Sequence, residues 1–132
     1  MFKFKTLLVQ AIMLTSTLFG LSAQTVKNLS AAEFKKTIDS GKYLIIDVRI
    51  PEEFALGHIL DAVNINVADS DFSKKVQAKT QKQKQIAIYC RSGRRSKLAI
   101  NQIESLKLQI VELNDGIISW QQAGYSLTTA KK

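Results

Sequence analysis

The residues best placed to do chemistry run together as Cys90-Arg91-Ser92-Gly93-Arg94-Arg95-Ser96. This stretch holds the only cysteine of the chain. It follows the apolar run Ile86-Ala87-Ile88-Tyr89 and precedes a segment of helical periodicity, Lys97 to Leu108. The thiol therefore falls on the turn between a buried strand and a helix start. A loop entering a helix N-terminus turns backbone N–H groups inward and forms a small anion cradle. Ser92 and Gly93 let that backbone curl tightly, and Arg91, Arg94 and Arg95 add positive charge. Such settings favour thiolate over thiol and hold an anionic substrate against the sulfur. Ser96 ends the stretch and is a further candidate for binding the substrate. With no second cysteine a disulfide relay is impossible, which leaves covalent catalysis through one sulfur.

The elements that must position this loop read as alternating strands and helices. Ser30-Ala31-Ala32-Glu33 has the form of a capping box, with Ala31, Phe34 and Ile38 on one helical face and Gly41 as the stop. Tyr43 to Val48 is a continuous apolar run closing on a charge, the pattern of a strand buried on both faces. Pro51-Glu52-Glu53 suits a first helical turn that stops at Gly57. Ala62 to Ile65 predicts a short strand, and Asp69 or Ser70 a cap for a helix carrying Phe72 and Val76. Ala99, Ile100, Ile103 and Leu106 face the sheet from the helix after the cysteine. Ile110 to Leu113 predicts a strand, and Asn114-Asp115-Gly116 a turn into a last helix with Ile117, Ile118 and Trp120. The tail from Thr128 to Lys132 is expected to be loose. This alternation predicts a single α/β domain with a mainly parallel central sheet flanked by helices.

In open parallel sheets ligands bind beyond the carboxyl ends of the strands. The cysteine loop lies at one such end. Asp47 and Arg49 lie at another, where they are expected to brace the loop rather than react. His58 is expected to be structural, because attack by a thiolate needs no general base. One histidine and one cysteine cannot close a metal shell, so no metal is expected.

The 132 residues amount to one domain, and a hydrophobic content of 45% supplies a core. The net charge of +8 is not laid out as a nucleic-acid face with interleaved aromatics. Many of the lysines form a solvated Lys/Gln tract, Lys74 to Lys84. Lys3 and Lys5 precede an apolar stretch from Leu7 to Leu21 that ends in Leu21-Ser22-Ala23. That is the pattern of a secretory signal, residues 1–23, cleaved after Ala23 or close by. An uncleaved anchor is the alternative, although the run is short against the roughly 17–25 residues of a membrane span. The expectation is export to a periplasm or beyond, with no stable membrane insertion after cleavage. The domain would then be residues 24–132, with a core of about 30–127.

The cysteine loop resembles that of the single-domain rhodaneses, Cys-x-x-Gly-x-Arg/Ser. Asp47-Val48-Arg49, Glu53-Phe54 with Gly57-His58-Ile59, and Gly116 with Trp120 and Gly124 resemble further family segments in the same order. Asp61 and Asp115 stand where that family carries glycine; both are turn substitutions that aspartate tolerates. The resemblance implies a rhodanese-like fold and a sulfurtransferase without a cofactor. Cys90 would take sulfane sulfur from a small anionic donor such as thiosulfate, hold it as a persulfide, and pass it to a thiol or cyanide. Arg91, Ser92, Gly93, Arg94, Arg95 and Ser96 would bind the donor, with Arg95 partly structural. Two other readings stay open: a persulfide carrier or binding module without multiple turnover, and a cysteine phosphatase or arsenate reductase. The last pair would need Cys-x5-Arg, whereas the sixth position after Cys90 is Ser96.

Overall fold

Alternate residues of the strand before the cysteine go to opposite layers. Ile86, Ile88 and Cys90 join one apolar cluster, and Ala87 and Tyr89 join the other. That two-sided burial comes from a parallel sheet covered by helices on both faces. The computed structural model describes residues 23–130. Residues 1–22, on which the expected export signal falls, and residues 131–132 lie outside the described residues.

The strands are β1 (Thr25–Leu29), β2 (Leu44–Asp47), β3 (Val63–Asn64), β4 (Gln85–Tyr89) and β5 (Gln109–Leu113). They form a five-stranded sheet in the order β1-β5-β4-β2-β3, and every pairing is parallel. Among the described residues the helices are α1 (Ala31–Ile38), α2 (Pro51–Leu56), α3 (Phe72–Lys79), α4 (Arg94–Gln102) and α5 (Gly116–Gln122). Phe72 and Val76 of α3 and Ala99 and Ile100 of α4 pack on the face of Ile46, Ile88 and Ile110. Phe34 of α1 and Ile117 and Trp120 of α5 pack on the face of Ile45, Ala87 and Val111. The fold class read from the sequence is the one observed.

Local signals act as their chemistry dictates. Ser30 Oγ accepts from the Glu33 N–H at 3.3 Å, and the Glu33 carboxylate accepts from the Ser30 N–H, which completes the capping box of α1. Pro51 opens α2, and Asp61 and Asp115 both adopt left-handed backbone, at φ 70° and 59°. One element is unexpected and three expectations need correction. β1 was not foreseen; its residues are mostly exposed, and it is held by backbone pairing to β5 rather than by an apolar run. Asp71, and neither Asp69 nor Ser70, is the N-cap of α3, while Asp69 reaches Lys75 at 3.0 Å. α4 begins at Arg94, earlier than the periodicity from Lys97 suggested, and gives way to a 3-10 turn at Glu104–Leu106. Finally, the tail is docked as far as Ala130. Thr128 pairs with His58 through backbone bonds of 2.8 and 2.9 Å, and His58 Nε2 lies 3.0 Å from the Ala130 carbonyl.

β4 lies inside the sheet, with β2 and β3 on one side and β5 and β1 on the other. The carboxyl ends of β4 and β2 are neighbours through the pairing of Asp47 with Tyr89. Cys90 and the Asp47–Arg49 corner therefore share one edge.

Candidate active site

Cys90 is the residue immediately after β4, and only 1% of its surface is exposed. The chain turns over it through Arg91 and Ser92 to Gly93, which caps α4 at φ 104°. The Gly93 N–H donates to Cys90 Sγ at 3.0 Å. The first N–H groups of α4 have no acceptor one turn back within their own helix, so the mouth above the sulfur is rich in donors.

The arginines divide into separate roles. Arg91 and Arg94 are exposed at the rim. Arg95 is engaged instead by Glu53 of α2, in a two-pronged ion pair of 2.7 and 3.0 Å. Hydrogen bonding to Arg95 holds the Glu53 carboxyl below the usual carboxylate range, and the charges of Arg95, Arg49 and Arg91 add to this against burial. The same bond raises Arg95, with the charge of Cys90 contributing. Arg95 thus clips the start of α4 to α2. Ser96, expected at the substrate, is fully buried beneath the sulfur, its Oγ 3.6 Å from Sγ.

Asp47 and Arg49 form the neighbouring corner. The guanidinium of Arg49 holds both carboxylate oxygens of Asp47, at 2.7 to 3.1 Å, and donates to the Gly57 carbonyl at 2.7 Å. Burial opposes the Arg49 charge, but the hydrogen bonds and charge of Asp47 outweigh it and raise the group above its ordinary value. Tyr89 lies under this pair, and its hydroxyl accepts from the buried Ile59 N–H at 3.0 Å. Burial, with the Asp47 charge added, pushes the Tyr89 phenol far above its ordinary value. Asn64 donates to the carbonyls of Asp47 and Arg49 at 3.0 and 2.8 Å. His58 stacks on Phe54 at 3.6 Å, and its Nδ1 lies 2.8 Å from the Phe54 carbonyl. These contacts build a frame beside the loop.

α5 supports the loop from below. The N–H groups of Ile117 and Ile118 donate to the carbonyls of Cys90 and Arg91 at 2.9 and 3.2 Å. Gly116, at φ 62°, makes that approach possible: a Cβ there would lie 2.6 Å from the Cys90 carbonyl oxygen and nearer still to that of Arg91. A cavity of about 290 Å³ opens beside the loop between Arg91, Arg49, Glu53, Leu56, Ile118 and Leu127. Larger hollows of about 370 and 490 Å³ elsewhere contain no residue of the cysteine loop, so the chemistry and not the volume marks the site.

Sequence reasoning missed three residues: Asn64, Tyr89 and Glu112. Glu112 is a carboxylate one residue from the carboxyl end of β5 and is 1% exposed. It accepts a short hydrogen bond from Ser96 Oγ. A charge inside the apolar run Ile110-Val111-Glu112-Leu113 was the available signal.

The sequence pattern of the Rhodanese-like domain family matches residues 30–123. The chain belongs to that family. It is 34% identical over 112 residues to the putative mitochondrial thiosulfate sulfurtransferase of Schizosaccharomyces pombe, covering 72% of this chain and 78% of the relative. It is 30% identical over 111 residues to the uncharacterized protein slr1261 of Synechocystis, covering 83% of this chain and 60% of the relative. Of another relative it spans 33% of the length. The crystal structure of a rhodanese-related protein from Thermoplasma volcanium superposes with a TM-score of 0.68 at 31% identity, covering 79% of this chain and 99% of that one. The family assignment drawn from the loop motifs agrees with these comparisons.

Proposed function

We propose that this rhodanese-like domain is a sulfurtransferase in which Cys90 carries the sulfur. The observation that carries the reading is the buried Sγ held by the Gly93 N–H at 3.0 Å, at the floor of a loop rimmed by arginines. A thiolate there attacks the sulfane sulfur of thiosulfate. A new S–S bond forms, the S–S bond of the donor breaks, and the electron pair leaves with sulfite. Charge balances: thiolate plus thiosulfate dianion gives persulfide anion plus sulfite dianion. An S–S bond is about 2 Å long, so the transferred sulfur stands nearer the mouth, where an incoming thiolate or cyanide reaches it. The N–H donors then stabilise charge on the outer sulfur.

The geometry favours sulfur over phosphoryl chemistry. A Cys-x5-Arg loop would supply a guanidinium at the sixth position, but here that position is the buried Ser96, and Arg95 is tied to Glu53. The test is formation of thiocyanate from thiosulfate and cyanide by the purified protein, with Cys90→Ala as control. Steady turnover lost in Cys90→Ala, with one added sulfur on Cys90 by mass spectrometry, supports an enzyme. One round of loading without turnover favours a persulfide carrier, and phosphatase activity with no persulfide overturns both. Export through residues 1–23 belongs to the same proposal, supported by Lys3, Lys5 and the apolar run that follows. N-terminal sequencing of the protein from an extracytoplasmic fraction checks it, with Gln24 or a close neighbour expected first.

A further inference from the structure

The floor of the site carries a buried carboxylate that the sulfur chemistry above does not use. Glu112 sits in β5, paired with Ile88 of β4, on the same face as Cys90. A buried carboxylate is unfavourable unless partners hold it. Its partners are the Ser96 hydroxyl and, at 3.4 and 3.5 Å, the ammonium of Lys97, whose side chain is 58% exposed. Ser96 has a single hydroxyl proton. Besides Glu112, its only other acceptor at normal length among the described residues is the Gly93 carbonyl at 3.1 Å. With that proton drawn to Glu112, Ser96 turns its lone pairs to Cys90 Sγ at 3.6 Å. A thiol can donate to such a lone pair, whereas a thiolate is repelled by it.

The two sides of the sulfur therefore oppose each other. On the loop side it has the Gly93 N–H and the charge of the Glu53-bound Arg95, with Arg91 and Arg94 exposed nearby in sequence. Beside them stands the neutralised Asp47–Arg49 pair. Below it are the Ser96 lone pairs and the Glu112 charge, offset in part by Lys97. We propose that Glu112 is a positioning residue for sulfur loading: acting through Ser96, it disfavours negative charge on Sγ more than on the outer sulfur of a Cys90 persulfide. Charge on the outer sulfur lies about one S–S bond, roughly 2 Å, farther from Glu112 and closer to the N–H donors. Coulomb repulsion falls with that distance, so exchange with the donor shifts towards the loaded state. Starting from the thiolate, the transfer is the one balanced above and needs no further co-reactant; starting from the thiol, it also releases the thiol proton to solvent. The inference rests on the sulfurtransferase reading of Cys90.

Two substitutions on opposite sides of the carboxylate test it. Alkylation of Cys90 by iodoacetamide is followed across pH in the full protein, in Glu112→Gln and in Lys97→Met. Glu112→Gln should move the profile to lower pH by about one unit, a tenfold gain in reactive thiolate below the midpoint. Lys97→Met, which bares the carboxylate, should move it to higher pH. Above the alkylation midpoint of every variant, where Cys90 is thiolate, and at a fixed ratio of thiosulfate to sulfite, the loaded fraction by mass spectrometry should fall in Glu112→Gln, by less than the tenfold seen in alkylation because the outer sulfur also feels part of the repulsion. Coincident profiles, shifts in the same direction, or equal loading would overturn the proposal. If Glu112→Gln does not fold by circular dichroism, the exposed Lys97 still decides it: an unshifted Lys97→Met profile overturns it. Profiles that shift while no variant forms persulfide overturn the sulfurtransferase reading, and the loading claim with it.

Discussion

Gly116→Ala is the sharpest test of how the loop is held. The new Cβ would lie 2.6 Å from the Cys90 carbonyl oxygen and 2.5 Å from the Arg91 carbonyl carbon. The residue also holds φ 62°, a left-handed conformation that costs an alanine about 1 kcal/mol. Relief requires those two peptide groups to withdraw by several tenths of an ångström. They are the acceptors for Ile117 and Ile118, at 2.9 and 3.2 Å, so both bonds lengthen together. At about 1 kcal/mol for each bond and about 1 for the backbone, the loss is about 3 kcal/mol. For a domain of this size that lowers Tm by about 12–24 °C. Gly41→Ala is the internal control, because Gly41 has φ 74° but a Cβ added to it would meet nothing within 4 Å. It should lose only the backbone share, about 1 kcal/mol. Thermal melts of both variants, with thiocyanate formation measured alongside, separate the contact from the conformation. If Gly116→Ala melts with Gly41→Ala and keeps full activity, the claim that α5 sets the loop is refuted.

Other substitutions probe the frame. Asp47→Asn leaves the Arg49 guanidinium buried without its counter-charge and should cost about 3 kcal/mol in urea denaturation; a loss below about 1 kcal/mol would contradict the role assigned to the pair. Tyr89→Phe removes the acceptor of the buried Ile59 N–H, which should cost about 1–2 kcal/mol and speed hydrogen exchange at Ile59. Because the Glu53 carboxyl is lowered in the folded state, its contribution is present above the ordinary carboxylate range and is lost as pH falls through the lowered value. Glu53→Gln should therefore flatten the acid limb of stability below about pH 5, by about 1 kcal/mol or less for a partly exposed pair. Melts across that range that fall as steeply as those of the unmodified chain would remove Glu53 from the account.

The parts of the fold legible in the sequence are those written in local signals. β4 and the cysteine turn were readable because an apolar run meets Gly93 and a helical period within a few residues. Asp61 and Asp115 were readable as turns because aspartate tolerates left-handed backbone. β1 was hidden because Thr25-Val26-Lys27-Asn28-Leu29 is an edge strand, specified by its partner's backbone and not by its own side chains. The partner of Arg95, expected to be partly structural, and the buried role of Ser96 were hidden for a similar reason. Glu53 lies 42 residues from Arg95, and Glu112 lies 16 from Ser96; only the sheet order brings them together. A motif supplies residue types at a loop, whereas the division between rim, clip and floor depends on which strand lies alongside.

Two helix starts meet at the cysteine loop, and they do different work. The first N–H groups of α5 are taken up by the carbonyls of Cys90 and Arg91. In a trans peptide the C=O and the following N–H point in opposite directions. Fixing those carbonyls on α5 therefore turns the N–H groups of Arg91 and Ser92 away from α5, free for an anion held in the loop. The start of α4 supplies the remaining donors, and Arg95 fixes its position through Glu53. Neither helix alone makes the cradle: α5 orients its peptides and α4 closes it. This explains why the family segment around Gly116 lies so far in sequence from the cysteine that it serves. It also places Glu112 of β5, the strand that runs directly into α5, within hydrogen-bond reach of Ser96 beside the cysteine.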